Sequence, residues 1–141
     1  MTVNQILNIK GTRIYSIPST ITVYEALKIM GINNIGAVLV VDSEKLIGIL
    51  SERDYARKII LKNKKSKETL VSEIMESDLI TVTLKDNIDN CMELMSTNRI
   101  RHLPVLEGEK IVGLISMGDV VKAIIENQKN TINHLDSYIS Q

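Results

Sequence analysis

The chain has 141 residues, of which 44% are hydrophobic and 24% are charged, and its 17 basic residues balance 17 acidic ones. This balance gives no strong field toward nucleic acid or an anionic membrane, and no apolar run reaches the ~18 residues typical of a membrane-spanning helix. The single cysteine excludes an internal disulfide and the N-terminus lacks the apolar stretch of a secretory signal, so we expect a cytoplasmic module of about one domain.

The first predicted elements are an extended segment at Arg13–Ile17 and a helix over Val23–Met30, in which apolar residues recur every three or four positions. Two hydrophobic strands follow at Ala37–Val41 and Leu46–Leu50, joined by a short polar turn typical of an antiparallel hairpin. A second helix begins near Ser51. This β-α-β-β-α order predicts a sheet covered by helices on one face.

The same order returns 65 residues later, because Ile17–Lys58 aligns on Val82–Ala123 without a gap. A supersecondary unit repeated at a fixed period needs its neighbour to bury its apolar face, so we expect the two copies to fold as one body. The predicted elements of the second copy are an extended segment at Leu79–Val82, a helix at Ile88–Met95, strands at Leu103–Leu106 and Ile111–Ile115, and a helix near Ser116.

Short segments flank the two copies. The polar, basic segment Leu61–Thr69 is typical of a helix end that runs into a surface connection. After it, Val71–Met75 echoes Val3–Leu7 at a spacing of 68 rather than 65. Beyond the second copy, apolar residues at helical spacing predict a short amphipathic helix that packs on the module or on a second copy of it; they are Ile132, Leu135 and Ile139. The predicted organisation is repeat 1 at residues 1–66, repeat 2 at 67–127 and a C-terminal amphipathic helix at 128–141.

Each copy ends its last strand with the pattern Gly-x-x-Ser-x-x-Asp at the start of a helix. A helix N-terminus favours an anion such as phosphate, a serine hydroxyl adds a hydrogen bond, and a carboxylate accepts hydrogen bonds from ribose hydroxyls. The glycine lets a ligand or the other repeat approach the backbone closely. The Ser-x-x-Asp spacing is also a capping box that would only start the helix, and both interpretations stay open. The residues are Gly48, Ser51 and Asp54 in the first copy and Gly113, Ser116 and Asp119 in the second.

A second signal is the basic pair Arg101 and His102 at the entry to a hydrophobic strand. Alternation in a strand would place Arg99 and Arg101 on one side and His102 on the other. Basic groups are costly there unless they reach solvent, a carboxylate or a phosphate, so the pair either binds a phosphate or lies at an exposed edge beside an acidic residue. The first copy has Gly36 and Ala37 at the aligned positions, so we expect two chemically unequal sites.

The remaining candidates favour structural roles. Arg53, Arg57 and Lys58 are typical of a solvated helix face, and Cys91 of a small hydrophobe inside a helix. Two histidines and one cysteine at these separations make no zinc site. The sequence contains no nucleophile–base set, no P-loop and no Rossmann fingerprint, so we expect neither an enzyme nor a metal site.

Two segments, TVYEALKIM…IGAVLVVDSEKLIGILSERDYARK and VSEIM…IDNCMELMSTNRIRHLPVLEGEKIVGLISMGDVV, resemble cystathionine β-synthase (CBS) domains. The similarity covers roughly Val3 to Ile125, and the chain is especially similar to stand-alone bacterial proteins that consist of one CBS pair. The resemblance implies an α/β (α+β) fold in which two β-α-β-β-α CBS repeats pack with pseudo-twofold symmetry as one CBS-pair module. It also implies homodimers.

The resemblance further implies that crevices between the repeats bind an adenine nucleotide, AMP first, with ATP, ADP, NAD and S-adenosylmethionine as alternatives. By position, the two aspartates would hold ribose hydroxyls, the two serines would approach phosphate, and Val40 and Val105 would add to the apolar walls. The implied nucleotide-binding residues are Ile17, Pro18, Gly36, Ala37, Val38, Ser51, Arg53, Asp54, Val82, Thr83, Arg101, His102, Leu103, Pro104, Ser116 and Asp119.

The leading functional hypothesis is a non-enzymatic nucleotide sensor that regulates a separate, unidentified partner protein and binds neither nucleic acid nor membrane. The alternative is a structural or oligomerisation module with vestigial crevices. Nucleic-acid binding through Lys62–Lys67 ranks below both, because the chain has no Trp or Phe and only four Tyr for base stacking. A nucleotide-processing enzyme also ranks below both, since no nucleophile is paired with a base.

Overall fold

The computed structural model describes residues 1–11 and 13–139, which form a mixed α/β fold with two sheets. The chain forms two compact units: a continuous unit, Ile14–Leu79, and a split unit, Met1–Arg13 with Ile80–Gln141. In chain order the elements are α1 (Val3–Lys10), β1 (Ser16–Ile17), α2 (Val23–Asn33), β2 (Ala37–Asp42), β3 (Lys45–Ser51), α3 (Glu52–Tyr55) with a π-helical turn (Ala56–Ile60), a 3-10 turn (Ser66–Glu68), α4 (Val71–Ile74), α5 (Ile88–Asn98), β4 (His102–Glu107), β5 (Lys110–Ser116) and α6 (Met117–Ile139).

The predicted helices α2 and α5 form with matching ends. Their N-caps are Thr22 and Asn87, whose side-chain oxygens accept hydrogen bonds from backbone amides three residues on, at 3.2 and 2.8 Å. Such caps satisfy amides that have no partner inside the helix. Both helices end at a residue in the left-handed region, Asn34 and Arg99, each with φ of 54°. Arg99 therefore belongs to a helix end, and the predicted strand alternation that included it is wrong, since β4 begins only at His102.

The two sheets repeat one register. In the antiparallel hairpins Val40 pairs with Gly48 and Val105 pairs with Gly113, and each hairpin has an irregularity directly after that pair. β1 runs parallel to β2, and the isolated bridge of Val82 to Val105 occupies the same place beside β4. The β-α-β-β-α order predicted from the sequence is thus confirmed, although the extended segment of the second copy forms a single bridge rather than a strand.

The segment that precedes each copy does not pack on that copy. α1 precedes the first copy but lies in the split unit, where the Val3 amide donates to the Asp86 carbonyl at 2.8 Å. α4 precedes the second copy but lies in the continuous unit, where the Val71 amide donates to the Ile21 carbonyl at 2.9 Å. The compact units therefore have boundaries different from those of the sequence repeats, whose predicted junction at residues 66 and 67 lies within the continuous unit.

Each of these segments packs against a glycine in the hairpin of the unit in which it lies. A methyl group on Gly113 would lie 2.7 Å from Cδ1 of Leu7, and one on Gly48 would lie 2.6 Å from Sδ of Met75. The glycines therefore allow close packing within each unit, as close approach of another segment requires.

Each unit has its own hydrophobic core, in which sheet residues pack against helices. In the continuous unit Val38 and Val40 pack with α2 and α4, and in the split unit Leu103 and Val105 pack with α1, α5 and α6. Only the first two turns of α6 enter that core, through Val120 and Ala123.

The predicted C-terminal helix is the continuation of α6 as far as Ile139, and Ser140 and Gln141 lie outside the described residues. Among the described helices, none is long and apolar enough to span a membrane.

Candidate ligand-binding site

Both Ser-x-x-Asp patterns form capping boxes at the end of a hairpin. In the split unit the Ser116 amide donates to Oδ2 of Asp119 at 2.8 Å, and the Asp119 amide donates to Oγ of Ser116 at 3.1 Å. In the continuous unit the same two bonds join Ser51 and Asp54 at 3.0 and 3.2 Å. The local structural role of these residues is therefore established, and what distinguishes the two sites is what else reaches each carboxylate.

In the split unit the additional group is Lys10, from the end of α1. Its ammonium donates to Oδ2 of Asp119 and to the Leu114 carbonyl, both at 2.6 Å. All hydrogen bonds that Asp119 accepts from the described residues reach Oδ2, which leaves Oδ1 open. The hydroxyl of Ser116 accepts a hydrogen bond from the Asp119 amide and lies close enough to the carboxylate to help lower its pKa.

Burial would raise the pKa of Asp119, but the hydrogen bond and charge of Lys10 and the bonds from Ser116 outweigh it, so its pKa lies below the usual 3.8. The carboxylate is therefore ionised at neutral pH while part of its surface is protected from water. Such a group can accept hydrogen bonds from the hydroxyls of a ligand.

His102 lies close to this carboxylate, and Arg101 directly precedes His102 at the entry to β4. His102 pairs with Ser116 across the hairpin, and the Arg101 carbonyl accepts a hydrogen bond from the Met117 amide at 2.8 Å. Burial, followed by the positive charges of Lys10 and Arg101, lowers the pKa of His102 below 6.5, although Asp119 opposes the shift. His102 is therefore a neutral imidazole at pH 7, flanked by two cations.

The continuous unit has a different arrangement at the equivalent place. The hydroxyl of Ser51 donates to Oδ2 of Asp54 at 3.0 Å, so its proton is already engaged. The cation here is Lys58, one helical turn after Asp54, whose ammonium lies 3.2 Å from Oδ1 and donates to the Ile74 carbonyl at 2.8 Å. Both carboxylate oxygens therefore have partners.

The positions of the first copy that align with Arg101 and His102 carry no charged side chain. The aligned Gly36 and Ala37 contribute backbone only, with the Gly36 carbonyl accepting from the Glu52 amide at 3.0 Å and Ala37 paired with Ser51. The predicted inequality of the two sites is thus a property of the fold as well as of the sequence.

The backbone near Ile17–Pro18 and Val82–Thr83, which the family resemblance implies would meet the adenine edge, lies farther along each sheet. Ile17 is beside Val40 and Val82 is beside Val105, three residues, or roughly 10 Å, from the strand ends that carry Ala37 and His102. Pro18 and Thr83 are one residue farther still, and the hydroxyl of Thr83 donates to Asp86 at 3.2 Å. The structure therefore does not bring these residues next to the capped carboxylates of their own units.

The residues expected as apolar walls, Val38, Val40, Leu103 and Val105, all lie on the core face of their strands. Val38 and Leu103 lie in the hydrophobic cores of their units, where their side chains contact helices. The alternate positions Ala37 and Pro104 are buried on the other face of their strands, because successive side chains point to opposite sides. Arg53 is half-buried on α3.

Sequence reasoning missed Lys10 and assigned Lys58 to a solvated helix face. Lys58 could have been identified, because a lysine four residues after Asp54 lies on the same side of a helix. Lys10 lies 109 residues from Asp119, and the only signal was the three extra residues that follow it before the first copy. Local spacing cannot report that α1 packs on the second copy.

The described residues contain no group of three or more His, Cys, Asp or Glu side chains that could hold a metal ion. Cys91 is fully buried in α5, where burial and then the charge of Asp86 raise the pKa of its thiol. The thiol is therefore protonated at neutral pH, which is typical of an inert structural cysteine.

The sequence profile of the CBS domain matches residues 8–61 and 71–126. The chain is 44% identical over 123 residues to the mitochondrial CBS domain-containing protein CBSX3 of Arabidopsis thaliana. That alignment covers 84% of this chain but 60% of the plant protein, so the chain spans less than two thirds of this relative.

Two solved structures are similar over nearly the whole chain. A CBS-domain protein from Burkholderia ambifaria MC40-6 shares 47% identity with a TM-score of 0.87, over 91% of this chain and 96% of that one. The CBS pair of protein MJ0100, solved with 5′-methylthioadenosine and S-adenosyl-L-methionine, shares 28% identity with a TM-score of 0.79, over 90% of this chain and 98% of that one. These matches confirm the predicted family and fold class, and CBS-pair proteins are regulatory modules.

Proposed function

The chain belongs to the CBS domain family, and from that premise we propose that it is a non-enzymatic regulatory module that binds an adenine nucleotide, AMP first among them. The observation that carries the proposal is the arrangement around Asp119, where a carboxylate oxygen without a partner among the described residues lies close to the Lys10 ammonium and a neutral imidazole. This combination suits a ribose next to a phosphate, because hydroxyls need an acceptor and a phosphate needs donors and positive charge.

Each group has a distinct proposed role. Oδ1 of Asp119 accepts hydrogen bonds from the ribose hydroxyls, while the Ser116 hydroxyl and the His102 imidazole donate to phosphate oxygens. Arg101 and Lys10 supply the charge, and Lys10 does so while it retains its bond to the Leu114 carbonyl. The neutral state of His102 in the free protein supports this assignment, since an approaching phosphate would favour its protonation.

The site at Asp54 has the lower proposed affinity for a phosphorylated ligand. Its serine proton and both carboxylate oxygens are engaged within the unit, and Gly36 and Ala37 carry no charged side chain. Ligand hydroxyls would have to displace Lys58 or the Ser51 hydroxyl before they could bind. We therefore expect one strong site for each chain and a second, weaker one.

Regulation requires that the ligand favour one conformation over another. Lys10 is a candidate for this coupling, because it joins the end of α1 to the proposed ligand site through its ammonium. A phosphate that attracts this ammonium away from Asp119 changes how α1 is held in the split unit. The position of α1 would then report ligand binding to the unidentified partner protein.

The test is a thermal-shift panel with AMP, ADP, ATP, NAD, S-adenosylmethionine and adenosine, followed by calorimetry. A ligand at about 100 times its dissociation constant stabilises the folded state by about 2.7 kcal/mol, which gives several degrees in the melting temperature. We expect AMP to bind more tightly than adenosine and the Asp119→Ala variant to lose the AMP effect. No stabilisation by any of these compounds, in protein freed of carried-over nucleotide, would contradict the proposal.

A second candidate function is a structural or oligomerisation module without a ligand, which the two complete capping boxes favour. In that case Asp54→Ala and Asp119→Ala would each cost about 1 kcal/mol of stability as lost helix caps, and no ligand would stabilise the wild type. The same panel separates the two functions, because only the nucleotide proposal predicts a wild-type effect that the Asp119 variant lacks.

The remaining parts of the proposal concern the setting of the protein. We expect it to act in the cytoplasm, as a homodimer, on a separate protein that it regulates. The balanced charge of 17 basic and 17 acidic residues supports neither nucleic acid nor a membrane as the partner.

A further inference from the structure

From its second turn to its end, α6 carries an apolar stripe that the other described elements leave at least 42% exposed. The stripe consists of large side chains with exposed fractions of 42% at Val121, 47% at Ile125, 57% at Ile132, 54% at Leu135 and 78% at Ile139. Every residue from 127 to 137 is exposed, on all sides of the helix. A helix of this length is marginal in water unless an apolar face is packed, so this part of α6 needs a partner surface.

The spacing of the stripe identifies the kind of partner. With Gln128 included, its six positions are separated by four, three, four, three and four residues, which is the a and d pattern of a coiled coil. We call these positions the α6 seam; they are Val121, Ile125, Gln128, Ile132, Leu135 and Ile139. A seam of this kind fits the same seam on another copy under two-fold symmetry.

We propose that the α6 seam binds the α6 seam of a second copy of this chain in an antiparallel pair of helices. In that arrangement Val121 lies opposite Ile139 of the second copy, Ile125 opposite Leu135, and Gln128 opposite Ile132. Every seam position then has a partner, over a helix length of about 28 Å. The proposal does not rest on nucleotide binding and concerns the protein without ligand.

Charge favours the antiparallel orientation. Lys122 and Asp136 flank the seam on the same side, and an antiparallel pair places each Lys122 beside Asp136 of the other copy. Near the two-fold axis, the Lys129 side chains of the two copies approach each other, and this like-charged contact opposes the two attractive pairs. A parallel pair would stack Gln128 on Gln128 and would place no opposite charges across the seam.

The area of the seam is sufficient for a small specific interface. Its five apolar side chains expose on the order of 500 Å² on each chain, so the pair would bury about 1,000 Å², near the lower limit for a biological contact. We therefore expect a dimer that forms at micromolar concentration and dissociates on dilution.

The test compares the full-length wild type with two doubly substituted chains by sedimentation velocity over a dilution series. Ile132→Asp with Leu135→Asp places two carboxylates in the seam and should weaken the dimer by roughly a hundredfold or more, because they would be buried unpaired. The matched control, Asn130→Asp with Ser137→Asp, adds the same charges to the opposite face of α6 and should dimerise like the wild type. Circular dichroism checks that the folded units survive, since the substituted residues lie outside the hydrophobic cores.

Cysteine cross-linking tests the orientation. Gln128→Cys together with Ile132→Cys should give a covalent dimer on mild oxidation, because those positions face each other in the antiparallel pair, while Gln128→Cys alone should give almost none. A wild type that is monomeric at 100 micromolar, or a seam variant that dimerises as well as the wild type, overturns the proposal. Efficient cross-linking of Gln128→Cys alone overturns the antiparallel orientation.

Discussion

The two capped carboxylates occupy equivalent places in their units, yet different parts of the chain neutralise them. Asp54 is paired with a lysine from its own helix, whereas Asp119 is paired with Lys10, from an element that precedes both repeats. The first arrangement closes the site, because hydroxyl, carboxylate and ammonium satisfy one another. The second leaves one carboxylate oxygen without a partner among the described residues.

This comparison shows that the duplicated backbone and the site chemistry vary independently. Register, caps and hairpin irregularities are the same in both copies, down to the pairs Val40–Gly48 and Val105–Gly113. The hydrogen-bond capacity left for a ligand nevertheless differs, because it depends on which cation each fold brings in. Four predictions test this comparison.

The largest expected effect distinguishes the two hairpin glycines. A methyl group at Gly48 would lie 2.6 Å from Sδ of Met75 and 3.1 Å from the Glu76 carbonyl oxygen, whereas at Gly113 the three atoms nearest to it would all belong to the side chain of Leu7. Because backbone yields less than a flexible side chain, we expect Gly48→Ala to cost about 2 kcal/mol and Gly113→Ala about 1 kcal/mol. Urea unfolding of both variants measures the difference, and equal losses would contradict this reasoning.

The second prediction replaces each of the two lysines, Lys10 and Lys58, with a neutral methionine. Lys10→Met should weaken AMP binding about tenfold while leaving adenosine binding nearly unchanged, because a charged donor to phosphate is lost. Lys58→Met is the matched control and should change AMP affinity little at the strong site. Calorimetry measures both, and an equal loss for AMP and adenosine in Lys10→Met would show that the lysine does not contact phosphate.

The third prediction exchanges the residues at the two helix C-caps. Asn34 and Arg99 both have φ of 54°, a region that asparagine tolerates better than arginine. We expect Arg99→Asn to stabilise the fold by about 0.5 kcal/mol and Asn34→Arg to destabilise it by a similar amount. Thermal unfolding of both variants would disprove this if the two shifts had the same sign.

The smallest effect concerns pH. The folded-state pKa of His102 lies below its ordinary value of 6.5, so the unfolded chain binds a proton that the folded chain resists. The contribution of His102 to the free energy of unfolding is therefore constant above pH 6.5. This stability is lost as the pH falls from 6.5 toward the folded-state pKa.

His102→Gln should thus lose less stability than the wild type between about pH 7.5 and pH 5.5 in urea unfolding. His134→Gln, on the exposed part of α6, is the control and should follow the wild type. An unchanged pH dependence in His102→Gln would refute the assigned environment.

Much of the fold could be predicted from the sequence, because its signals are local or repeated. Apolar periodicity gave α2 and α5 to within a turn, and the alignment of the copies identified both hairpins and both caps at Ser51 and Ser116. The predicted inequality of the sites rested on Arg101 and His102 against Gly36 and Ala37, and the structure has that difference at the strand ends.

What could not be predicted depends on contacts far apart in the chain. No spacing indicates that α1 packs on the second copy, so Lys10 remained unrecognised as a partner of Asp119. The end of α5 was misassigned because an arginine rarely adopts the left-handed conformation, and only the structure shows that Arg99 does.

The crossed placement of α1 has a consequence for the order of folding during synthesis. All residues of the continuous unit, Ile14–Leu79, emerge in one uninterrupted stretch, whereas Lys10 must wait for Leu114, 104 residues later. At 5–20 residues per second, α1 exposes its apolar face for roughly 5 to 20 seconds before its packing site exists. We expect the continuous unit to fold first, and proteolysis of arrested nascent chains should cleave α1 until β5 has emerged.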